Sequence, residues 1–145
     1  MGLTFFGVLG LFQLAFIAHG QYLSSVGSLY AVILVPIAVT AALTFSTMVF
    51  YEGLAQRGRT ASIRRSHGKG RARAAAKPFW KTTAFVAVAA TCVTFFLLYA
   101  ATFALAVEHL GTMAAFVMAE NVGGIGALLL ASFFESQYAP KIRTF

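Results

Sequence analysis

Four long apolar runs, with the basic residues confined between and after them, constrain this chain more than any other feature. The runs cover residues 3–19, 29–51, 82–107 and 111–134, counting His19 as an interfacial extension of the first. All eleven Lys and Arg residues fall in two places, nine from Arg57 to Lys81 and two at Lys141 and Arg143. A soluble domain needs a polar coat, and 145 residues that are 59% hydrophobic and 10% charged cannot supply one. A bilayer removes the need, because lipid-facing side chains stay apolar. The expected fold is therefore all-α, an integral membrane four-helix bundle forming one domain over 1–145, with a basic loop at 52–81.

Charge sets the expected orientation. With four spans, the central loop and both termini share one side and carry every Lys and Arg, while the other two loops carry none. The positive-inside rule places that basic side, with both termini, in the cytoplasm. Tyr30, Tyr51, Phe79 and Trp80 stand at span ends, where amphipathic rings favour the interface. Pro36 removes one backbone donor inside the second run, which a bundle tolerates. Glu108 and His109 read as the tight polar turn between the last two spans. An alternative makes the first run a cleaved secretory signal ending in the small residues near Ala18–Gly20, but no Lys or Arg precedes it.

Several function classes fall away. The net charge of +7 lies in one loop and not on a folded polar face, which favours anionic lipid or an acidic partner over nucleic acid. The single cysteine, Cys92, rules out a disulfide within the chain, and Asn121, the only Asn, is not followed by a glycosylation signal. His19, Glu108 and His109 emerge on one face and are metal-capable in type, yet their spacing matches no zinc motif. No catalytic constellation is present, no cofactor is expected, and Gly123-Gly124-Ile125-Gly126 lies in an apolar helix with no preceding strand, so it serves packing.

Three groups of residues remain as candidates. Glu120 lies about 13 Å into the fourth segment, near mid-membrane, with Asn121 beside it. An ionisable group at that depth costs a few kcal/mol and usually faces the bundle with a partner. The expected partners are Gln13, Thr40, Thr44, Thr91 and Thr94. Gly111, Ala115, Ala119, Gly123, Ala127 and Ala131 recur every four residues, a small-residue ridge that lets another backbone approach, from this chain or another. Finally, Arg57, Arg59, Arg64, Arg65, Lys69, Arg71, Arg73, Lys77 and Lys81 form a basic loop suited to orientation or to anionic headgroups. Arg59 stands three residues before Ser62, a weak phosphorylation context.

From Lys81 to Ala119 the chain resembles the PIG-F family of the endoplasmic reticulum, multispan partners of the enzymes that add ethanolamine phosphate to GPI anchors. The resemblance rests on a basic residue before the third span, Phe95-Phe96-Leu97-Leu98-Tyr99 followed by Ala100-Ala101, the acid Glu108, and Thr112 to Phe116. The chain departs where the family has Gly-Ala-Pro (here Ala100-Ala101-Thr102), at Val93 in place of a His, and in lacking a C-terminal pair of helices. The resemblance implies a non-catalytic stabilising subunit in that membrane. The expected function is accordingly a non-catalytic multispan subunit or assembly partner, touching membrane lipids and either another membrane protein or a second copy of itself. The alternative is a small transporter or channel using Glu120.

Overall fold

The computed structural model describes residues 2–23, 29–66 and 81–138, with side chains outside the description at 29, 59–66 and 138. Lys69, Arg71, Arg73, Lys77, Phe79, Trp80 and the tail with Lys141 and Arg143 lie outside the described residues. The fold is all-α, with α1 at Gly2–Leu23, α2 at Leu29–Ser66, α3 at Thr83–Leu110 and α4 at Thr112–Tyr138. Each helix is long and apolar enough to cross a membrane. Large apolar side chains such as Leu3, Leu11, Leu97, Leu105, Leu129 and Phe133 point outward, as lipid-facing positions do. The chain is a multi-pass membrane protein.

Two boundaries differ from the sequence reading. The basic loop expected at 52–81 is helical as far as Ser66, because α2 continues for another fifteen residues, about 22 Å, past Tyr51. Leu54, Ala55, Gln56 and Arg57 are good helix formers, and arginine opposes hydrocarbon without opposing helix. The polar turn expected at Glu108–His109 is the last turn of α3. The reversal belongs to Gly111 alone, at φ 77° and ψ 164°, a backbone region essentially reserved for glycine. The Gly111 carbonyl then accepts from the Ala115 N–H at 3.0 Å and starts α4. At the other end of α3 the Thr82 hydroxyl caps the helix by accepting from the Phe85 N–H at 3.4 Å.

α4 is the hub, packed on both α2 and α3, while α1 lies mainly against α2. An aromatic cluster fills one half of the bundle. Phe16 meets Phe95 at 5.1 Å and Tyr99 at 4.8 Å between ring centroids, and Tyr99 stacks on Phe103 at 5.9 Å. Phe50, Ala87 and Ala131 form a smaller core toward the arm end of α2, where Phe50 meets Phe134 at 5.3 Å.

A buried polar cluster at mid-bundle

The small-residue ridge brings the helices together. Ala115, Ala119, Gly123, Ala127 and Ala131 are all buried within this chain. Gly111 is not part of the ridge, since it is exposed and lies outside α4. A β-carbon at Gly123 would fall 2.8 Å from the Phe95 ring of α3, and one at Gly124 would fall 3.3 Å from Val39 of α2. Gly20 of α1 is equally close, 2.8 Å from Phe116 and 2.9 Å from Val32 by the same construction. The ridge is therefore spent on helices of this chain.

Glu120 follows Phe116 by one turn and is 0% exposed. Phe116 packs on the Tyr99 ring at 6.3 Å, and the Tyr99 hydroxyl lies within electrostatic reach of the Glu120 carboxyl. From α1, Gln13 is 1% exposed and lies between Phe12 and Phe16, both of which touch the Phe95 ring. Gly123, three residues beyond Glu120, packs on that same ring. Glu120, Gln13 and Tyr99 thus converge around Phe16 and Phe95 in one slice of the bundle. Pro36 is buried on α2, and having no N–H it leaves the Val32 carbonyl without its intrahelical donor.

Of the partners expected for Glu120, only Gln13 shares its slice of the bundle, and the threonines lie or bond elsewhere. The Thr40 hydroxyl donates to the Pro36 carbonyl at 2.8 Å and the Thr44 hydroxyl to the Thr40 carbonyl at 2.7 Å. Thr91 donates to the Ala87 carbonyl at 3.1 Å and accepts from the Thr47 hydroxyl at 3.0 Å. Thr94 lines a groove of about 560 Å³ on the outside of α3 and α4, beside Leu97 and Leu129. Threonine in a helix reaches its own preceding turn more easily than a neighbouring helix. Asn121, paired with Glu120 in the sequence reading, turns away from it. It is exposed and donates to the Val117 carbonyl of its own helix at 2.7 Å.

Both Glu120 oxygens, both polar atoms of Gln13, the Tyr99 hydroxyl and the Ser46 hydroxyl make no hydrogen bond to any described group. Tyr99 and Ser46 are absent from the sequence-derived site. Tyr99 reads as one more aromatic in an apolar run, and only its position one turn after Phe95 hints that it faces the core. Arg57 is exposed on the α2 extension, Arg59, Arg64 and Arg65 belong to the same helix, and Lys81 is exposed just before α3. His19, Glu108 and His109 form no metal-binding group. Among the described residues no three His, Cys, Asp or Glu side chains assemble, and His19 packs edge-on to Phe103 at 5.5 Å. No protein-family model, curated protein or solved structure gives a match to this chain.

Proposed function

We propose that this chain is a non-catalytic multispan subunit that engages a membrane complex through the extension of α2. The observation that carries the reading is the continuation of α2 from Glu52 to Ser66 as a helical arm bearing Arg57, Arg59, Arg64 and Arg65. A continuous helix transmits position from the bundle, as a flexible basic loop would not. Four arginines on it favour an acidic partner face at the membrane surface, reinforced by anionic lipid. Because the α4 ridge is consumed inside the bundle, docking shifts from the ridge to the arm. By the positive-inside rule the arm is cytoplasmic. The PIG-F resemblance of Lys81–Ala119 adds the endoplasmic reticulum and GPI-anchor assembly as the setting. The test is purification in mild detergent of the chain and of a variant with all four arm arginines changed to Glu. The partner should be lost from the variant while its helicity and melting temperature hold. An unchanged partner profile, or a homo-oligomer with no partner in either preparation, refutes the reading.

A second reading, a small transporter using Glu120, is favoured by the unpartnered polar atoms at mid-bundle. It requires Glu120→Gln to abolish pH-dependent flux in proteoliposomes while assembly survives.

A further inference from the structure

We propose that Glu120, Gln13 and Tyr99 form a hydrated proton-binding site inside the bundle, and that protons reach it from the His19 end. The site stands on geometry and requires neither subunit docking nor transport.

Burial and lack of protein partners coincide here. Glu120, Gln13 and Tyr99 are 0%, 1% and 6% exposed, yet five of their polar atoms bond to no described group. Leaving such groups dry is costly, because their hydration is lost with nothing in return, and buried polar groups almost always find protein or water. The chemistry of the set selects the ligand. Gln13 brings two N–H donors and a carbonyl acceptor, Tyr99 a hydroxyl that does both, and Glu120 two oxygens. A bare metal cation would satisfy the oxygens and leave the amide donors stranded. Water serves both kinds, and each molecule needs only two to four polar partners.

Access is one-sided. His19 is exposed, and its ring lies 6.3 Å from that of Tyr99, whose hydroxyl is within electrostatic reach of Glu120. Histidine, tyrosine and carboxyl thus follow one another from the α1 C-terminal end to the interior. Toward the arm the core closes over the Thr47–Thr91 hydrogen bond and the Phe50, Ala87 and Ala131 cluster. The other titratable groups on the packed helices do not compete for this route. Within the spans α2 carries none between Tyr30 and Tyr51, and α4 none between Glu120 and Glu135. On α3 only Cys92 joins Tyr99 before Glu108 and His109 in its final exposed turn. No Lys or Arg occurs in the apolar runs 3–19, 29–51, 82–107 and 111–134 to pair with a carboxylate, so the cage accommodates the acid, and exchange swaps its O–H proton for one from the adjoining water.

The experiment is infrared difference spectroscopy of the whole chain in lipid nanodiscs on transfer from H2O to D2O. The Glu120 acid carbonyl band is the one that disappears in Glu120→Gln. It should downshift promptly in D2O. Tyr99→Phe and Gln13→Met, which keep shape and remove hydrogen-bonding groups, should slow the downshift, as should His19→Phe. Glu52→Gln, at the opposite end, should leave it unchanged. Thermal melts confirm that each variant is folded, and Gln13→Leu replaces Gln13→Met if that variant melts early. A band that fails to exchange in the unmodified chain, or that exchanges equally fast in all three cage and access variants, overturns the proposal.

Discussion

Gly123 on α4 and Phe95 on α3 are in contact so close that a single β-carbon at Gly123 would lie 2.8 Å from two atoms of the ring. The phenylalanine is fully buried and also meets Phe12, Phe16 and Tyr99, so it cannot swing clear. Lipid tails are as apolar as the helices and supply no hydrophobic drive to join them. Close contact at such points is what binds α3 to α4.

Gly123→Ala should therefore destabilise the bundle by about 1–3 kcal/mol, the usual cost of overpacking. Phe95→Leu in the same chain should recover part of the loss. Thermal unfolding of the single and double variants in one detergent gives the coupling, and strictly additive effects would contradict the contact.

Gly111→Ala should be destabilising for a different reason. It places a side chain at φ 77° and ψ 164°, with open space around it, so the cost is backbone strain of about 1–3 kcal/mol. Gly10→Ala, inside α1 and also free of neighbours within 4 Å, should be neutral or stabilising by up to about 1 kcal/mol. Gly111→Ala should lower the melting temperature, and Gly10→Ala should leave it unchanged or raise it.

The Thr47–Thr91 hydrogen bond ties α2 to α3. A double-mutant cycle with Thr47→Val and Thr91→Val should show a coupling of about 0.6 kcal/mol, typical between membrane helices. A coupling indistinguishable from zero would mean that the hydroxyls serve only their own helices.

Gly58→Pro tests the arm. Proline costs about 3 kcal/mol inside a helix, and Gly58 has nothing within 4 Å to transmit the strain. Circular dichroism should lose helix corresponding to the arm while the bundle melts as before. A fall in melting temperature would show that the arm contributes to the bundle's stability.

Much of this was legible from residue order. Spans are read from apolar length, which local composition carries in full, and the four helices fall where the runs do. Helix ends were harder. Hydropathy reports where hydrocarbon stops, and α2 crosses that boundary at Tyr51 without a break because leaving the membrane does not interrupt helical hydrogen bonding. Glu108 and His109 misled for the same reason, being polar enough to leave the bilayer but well able to finish α3. At Asn121 the period of 3.6 residues is decisive, since a neighbour one position along points about 100° away.

By itself, the order of apolar and basic residues determined an all-helical, four-span membrane chain, and it singled out Glu120 as the acid set deepest in a span. Both follow from local transfer energy, which needs no knowledge of neighbours. Only the tertiary structure decided that the α4 ridge packs within the chain, that Thr40, Thr44 and Thr91, expected to serve Glu120, bond elsewhere, and that Tyr99 joins Gln13 beside it. Those outcomes depend on the rotation of each helix about its axis, set by contacts such as Gly123 with Phe95 and Gly20 with Phe116 between residues far apart in sequence.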